Sequence, residues 1–170
     1  YHGTDIFMQG LRGMWQEYFT NVEFVQVEPN DPEAITNVFA KYGDRIASFW
    51  AEPIMMNREA ILVEKDYMRL VRQLCDEAGA LMVIDEIQTC FFVPEILMFK
   101  QYEIMPDMVV VGKGLTAGFH ALAGLLYSRK LDNLAQYDSI STNGSAPLAC
   151  YMALCNIHMM RRDKARIAGI

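Results

Sequence analysis

The sequence predicts an α/β protein with a mostly parallel sheet and helices on both faces. Three features carry this expectation. Apolar, β-branched runs are bounded by turn residues, amphipathic stretches of helical period lie between them, and proline or glycine marks the junctions. In chain order, residues 22–29 ("VEFVQVEP") have the composition of a strand ended by Pro29. In "DPEAITNVFAKYG", Asp31 offers an N-cap, Pro32 occupies the first helical position and Gly43 is the stop. Residues 45–53 ("RIASFWAEP") form a second strand. In "KDYMRLVRQLCDEAG", Tyr67, Leu70, Val71, Leu74 and Ala78 recur at helical spacing, and Gly79 closes the helix. "ALMVIDE" is the third strand and "DMVVVGKG" the fourth; residues 121–128 ("ALAGLLYS") give a fifth after a short connection. A last helix runs from about Pro147 into "RRDKAR", and "TNGSAP" before it is a loop within one domain.

Composition excludes several function classes. A chain of 170 residues can bury a sizeable core, and 52% hydrophobic with 21% charged residues fits neither a disordered nor a fibrous protein. No apolar run approaches the roughly 20 residues of a membrane span, so no membrane partner is expected. A net charge of -6 and a pI near 5.0 argue against nucleic acid as a partner. Cys75, Cys90, Cys150 and Cys155 lack paired spacing, and His2, His120 and His158 do not cluster, so no metal site is expected. No secretory leader is visible, which makes a reducing cytoplasm the expected location. The chain begins at Tyr1 rather than methionine and is expected to be an excerpt of a longer protein or a processed product.

"PDMVVVGKGLTAG" places Lys113 between two glycines at the end of an apolar strand, where open α/β sheets bind ligands. The plain alternative is a solvated lysine in a surface loop. Upstream, "LMVIDEIQT" brings Asp85 and Glu86 to another strand end. A nucleotide triphosphatase would use such carboxylates, but its phosphate loop needs glycine, four residues, then Gly-Lys-Ser/Thr. "VVVGKGL" lacks the earlier glycine and has glycine after the lysine. A pyridoxal phosphate site uses the same residue types differently. A lysine amine forms an imine with the aldehyde, and a carboxylate keeps the pyridine nitrogen protonated, so that the ring draws electrons from the reacting carbon. Asp85 and Lys113 stand 28 residues apart, room for one helix between neighbouring strands.

Together, "EPIMMN", "LCDEAGALMVIDEIQT", "PDMVVVGKGL" and "STNGSAPLAC" resemble the class III aminotransferases, the ornithine, 4-aminobutyrate and glutamate-1-semialdehyde group of fold-type-I pyridoxal phosphate enzymes. The likeness runs from Tyr1 to about Ala153. It implies that Lys113 is the Schiff-base lysine and proton shuttle, and that Asp85 partners the pyridine nitrogen. It implies Gln88 beside the phenolic oxygen and Tyr1 stacked on the ring, with His2 and Gly3 in the same turn. Thr142 matches the threonine that reaches the cofactor phosphate of a neighbouring subunit, which implies a homodimer, and Glu52 takes a supporting role. The implied substrates are an amine or amino acid and a keto acid or aldehyde. An aminomutase, racemase or decarboxylase would reuse Lys113 and Asp85, and a non-catalytic scaffold could retain the fold. Tyr1 as a frayed terminus, Thr142 as a turn residue and Gln88 as a strand-end polar group are the corresponding structural readings.

The pattern also departs from the family. "CFFVPE" stands where relatives carry a glycine-rich segment with an arginine, so this loop should be stiffer, more apolar and without that charge. Met55 and Met56, in the loop after Glu52, stand where the family often has Gln-Gly or a small residue with Gly, and Asn57 is closer to the aminomutase-like variant. The resemblance implies a phosphate-binding turn upstream and a small domain downstream. Residues 1–170 are thus expected to form a central large-domain segment that is weakly active or inactive alone.

Overall fold

A computed structural model describes residues 23–136, 138 and 141–169. Helix α1 (Pro32–Tyr42) starts where Asp31 Oδ1 accepts the Ala34 N–H at 2.8 Å, and it stops at Gly43, whose φ of +53° suits a residue without Cβ. Strand β1 (Ser48–Ala51) leads to a small hairpin, β2 (Ile54–Met55) and β3 (Ile61–Leu62). Helix α2 (Lys65–Ala78) buries Tyr67, Met68, Val71 and Cys75 and closes at Gly79. Strands β4 (Leu81–Glu86), β5 (Met108–Val111) and β6 (Gly124–Tyr127) follow, then helix α3 (Pro147–Arg162) and a helical turn, Lys164–Ile167.

The main sheet has the order β1-β4-β5-β6. β4 pairs in parallel with both β1 and β5, while β6 returns antiparallel to β5. Along β4 the side chains alternate. Met82 and Ile84 enter a core with Ile35 and Phe39 of α1 and Val71 and Cys75 of α2. Val83 and Asp85 therefore point to the other face. Because β1, β4 and β5 run the same way, their C-terminal ends share one edge of the sheet.

Two expectations are corrected. Residues 23–28 form no strand, and Val22 lies outside the described residues. Side chains of this segment bond across the fold instead: Glu23 accepts from Tyr42 Oη and Glu28 pairs with Arg58. Next to it, Asn30 bonds to Leu62 O and the Glu64 N–H. Between β4 and β5 there is no α-helix but a 3-10 turn, Met98–Tyr102. Pro94 cannot donate to a helix ladder, and Phe91, Ile96 and Glu103 adopt positive φ, so no helical run can form.

At the opposite edge, Arg72 of α2 reaches Asp107 at 2.7 Å, just before β5, and Asp107 also accepts the Met82 N–H at 2.9 Å. Burial pushes the Asp107 carboxyl up, but the Met82 N–H and the Arg72 guanidinium outweigh it and hold the group below the usual carboxylate range. A depressed carboxyl stabilises the fold above its unfolded pKa, about 3.9, and that gain is lost as pH falls through the folded value. Asp107→Asn should therefore lower stability at pH 7 by about 1.5–3 kcal/mol in urea unfolding. The gap from the parent should close below about pH 4.

Candidate active site

Asp85 is the penultimate residue of β4, half-buried, and paired in register with Val110 of β5. Its Oδ1 accepts the Ile87 N–H at 3.0 Å, which fixes the carboxylate against the turn that follows the strand. Glu86, one residue on, points into the core and is fully buried. Its carboxylate accepts the N–H groups of Phe99 at 2.7 Å and Met98 at 2.8 Å and the Thr89 hydroxyl at 3.2 Å. Burial pushes the Glu86 carboxyl above its usual range, and these donors offset only part of that rise. Glu86 is thus an anchor for the loop after β4, not part of the open site.

Beyond Val111, the β5 chain enters a 3-10 turn, Lys113–Thr116, with Lys113 exposed. Gly112 is needed for space rather than conformation: its φ is −177°, but a Cβ there would stand 2.8 Å from Ile87 Cδ1. A Cβ at Gly114 would meet the Cys90 carbonyl oxygen at 3.0 Å. The glycines around Lys113 let the loop after β4 close onto the lysine turn. Thr116 is buried and bonded to the His120 backbone, which ends the turn.

The sheet thus brings Asp85, half-buried Gln88 and Lys113 to one edge. Glu52, 1% exposed, follows the last residue of β1, so it belongs to the same edge. Thr142 is exposed in the bend before α3, where Ser141 Oγ accepts the Gly144 N–H at 3.0 Å. Tyr1 and His2 lie outside the described residues. Met55 belongs to the core, whereas Met56 is exposed. In the departing loop, Phe92 is 57% exposed, and Glu95 is tied to Lys164 at 3.1 Å. Sequence reasoning missed Cys90, whose thiol donates to Gly112 O at 3.0 Å, and Asn156, which bonds Gly114 O at 2.8 Å. Only the polar interruption of an apolar helix could have pointed to Asn156.

An amine and a carboxylate at adjacent strand ends suit a small ring bearing an aldehyde and a basic nitrogen. A family model described as Aminotransferase class-III matches residues 14–166. Ornithine aminotransferase of Emericella nidulans is 32% identical over 136 residues, covering 79% of this chain and 30% of its own length. Glutamate-1-semialdehyde 2,1-aminomutase of Natronomonas pharaonis is 36% identical over 96 residues, 56% of this chain and 22% of its length. The solved acetylornithine aminotransferase of Elizabethkingia anophelis has a TM-score of 0.78 and 25% identity, covering 83% of this chain and 37% of that one. This chain spans well under half the length of these relatives. A family match across most of the sequence and the shared fold lead to one conclusion: the chain belongs to the class-III aminotransferases.

Proposed function

We propose that this chain forms the lysine-bearing part of the large domain of a pyridoxal phosphate-dependent aminotransferase. The enzyme moves an amino group between an amine or amino acid and a keto acid or aldehyde. The observation that carries this reading is the shared edge of β4 and β5, with Asp85 in register with Val110 and Lys113 just past the strand end. Pyridoxal phosphate, when bound, supplies an aldehyde that captures primary amines and a ring that withdraws electrons from the carbon beside the amine.

Lys113 would hold the cofactor through Nζ, and its free amine would move a proton to or from the substrate carbon. Asp85, oriented by the Ile87 N–H, holds a proton on the ring nitrogen. Gln88 bonds the phenolic oxygen from the turn after β4, and Glu52 braces the edge from the end of β1. By the family resemblance, Tyr1 and His2 would contribute ring contacts, and Thr142 would reach the phosphate bound by a second copy in a homodimer. Free thiols at Cys75 and Cys90 agree with a cytoplasmic location. Among the described residues, no helix is long and apolar enough to cross a membrane. Asn57 and the likeness to the Natronomonas aminomutase favour an aminomutase as the second reading. Product analysis separates the two, since an aminomutase returns the amino group to the same carbon skeleton.

Borohydride reduction of the cofactor-loaded protein should attach the label to Lys113, as read by peptide mass spectrometry. A label on another lysine would refute the assignment. Lys113→Ala should lower kcat on the order of 10²–10⁴-fold or more, because it removes both the attachment point and the proton carrier. Asp85→Asn removes a charge-assisted hydrogen bond of about 1.5–3 kcal/mol and should cost roughly 10- to 150-fold in kcat while the protein stays folded by circular dichroism.

Mixed dimers test Thr142. If it serves the partner's site, pairing a Lys113→Ala copy with a Thr142→Ala copy places both defects in one site and leaves the other intact. About half the parental activity is then expected, by the division of defects between composite sites. Activity no higher than that of the Thr142→Ala homodimer would show that the threonine serves its own chain.

A further inference from the structure

Lys113 has a φ of +38°, in the left-handed region that residues with a Cβ rarely occupy. The turn's own bonds, Leu115 N–H to Gly112 O at 2.9 Å and Ala117 N–H to Gly114 O at 3.0 Å, fix its shape but not its place on the protein. Placement comes from outside. Asn156 Nδ2 donates to Gly114 O at 2.8 Å and to Leu115 O at 3.2 Å, reaching back 42 and 41 residues along the chain. From the other side, the Cys90 thiol donates to Gly112 O at 3.0 Å. The carbonyls of Gly112 and Gly114 thus each take one donor from the turn and one from a neighbouring element, filling both lone pairs.

Asn156 lies on the face of α3 that also carries buried Ala149 and Ala153, at helical spacing. The two alanines let the helix approach the turn closely. An amide on such a face is costly to bury unless bonded, and an alanine would continue the packing without that cost. Because Gly114 O keeps the Ala117 N–H, loss of Asn156 leaves that oxygen with a partner. Leu115 O, in contrast, would lose its Asn156 donor, so the asparagine also serves the fold, and its effect on the lysine turn must be read apart from its effect on stability.

Resting on the reading of Lys113 given above, we infer that Asn156 is a positioning residue for the reaction. It locks the lysine turn to α3, so that Nζ meets the cofactor and substrate carbon from a fixed origin. It acts through the Gly114 and Leu115 carbonyls and touches neither reactant.

The test uses the full-length protein with Asn156→Ala and Asn156→Asp. Apoprotein is mixed with pyridoxal phosphate, and the rate of covalent attachment is followed by absorbance beside kcat, KM and Tm. Asn156→Ala should slow attachment and kcat roughly 10- to 100-fold, the scale of a small misplacement of a reacting group. KM should change little and Tm by only a few degrees. A carboxylate cannot donate to the carbonyls, but a protonated carboxyl can. Attachment by Asn156→Asp should therefore rise relative to Asn156→Ala as the pH is lowered from about 8 to about 6, as a carboxyl buried beside carbonyls regains its proton. Parental attachment and kcat in Asn156→Ala, or losses that simply follow Tm across the variants, would overturn the inference. Borohydride labelling of each variant keeps the two readings apart. A label away from Lys113 overturns the functional reading, whereas a label on Lys113 with parental rates overturns the role of Asn156 alone.

Discussion

The parallel pairing of β4 with β1 on one side and β5 on the other is the constraint on which the candidate site depends. It sets the ends of three strands along one edge, so that residues distant in sequence leave the sheet together. It also divides two consecutive acids. The period of two sends Asp85 to the open face and Glu86 into the core, and a one-residue slip of β4 would exchange them. Such a slip would bury a carboxylate without Glu86's three donors and remove the acid from the lysine's neighbourhood. Packing and the proposed role of Asp85 therefore ask for the same register.

Much of this was legible in the sequence where local chemistry and global packing agree. Asp31, Pro32 and Gly43 mark a helix that any context would accept, and the apolar runs of β4 and β5 exceed what an exposed segment would carry. Where the reading failed, tertiary contacts decided. Residues 22–29 have strand composition, but Glu23, Glu28 and Asn30 find partners across the fold, so residues 23–28 turn away from the ladder. The link from β4 to β5 has helix-compatible length, yet it is held by the buried Glu86 carboxylate, whose role depends on N–H groups 12 and 13 residues away. That Lys113 and Asp85 stand at the ends of neighbouring strands was readable because strand ends and glycines are sequence features. Asn156 was not, since a lone polar residue in a helix says nothing about which backbone it will reach.

The loop from Cys90 to Ile96 shows how a departure from the family pattern becomes structure. The expected apolar character holds, with Phe91 against the core and Phe92 in solvent. Phe91 and Ile96 both adopt left-handed backbone, unusual for an aromatic and a β-branched residue. The cost is met by bonds that close the loop on itself, Phe91 N–H to Ile96 O at 2.7 Å and Ile96 N–H to Val93 O at 2.9 Å. Glu95 adds a tie to Lys164, in the helical turn beyond α3. The loop is thus fixed from within and from the helical turn that follows the helix holding the lysine turn.

α3 therefore links parts of the site that the sheet alone would leave independent. Its N-terminus follows the bend carrying Thr142, its buried face holds the carbonyls after Lys113, and the helical turn just past its end grips Glu95. These attachments couple the three loops to one helix and the turn that follows it. Gly112 and Gly114 add the condition that makes this coupling tight. With side chains there, Ile87 would have to shift and the Cys90 carbonyl would have to give way, loosening the seat of the lysine turn between β4's loop and α3. The glycines beside Lys113 therefore serve less to make the chain flexible than to let three elements meet closely enough to hold it still.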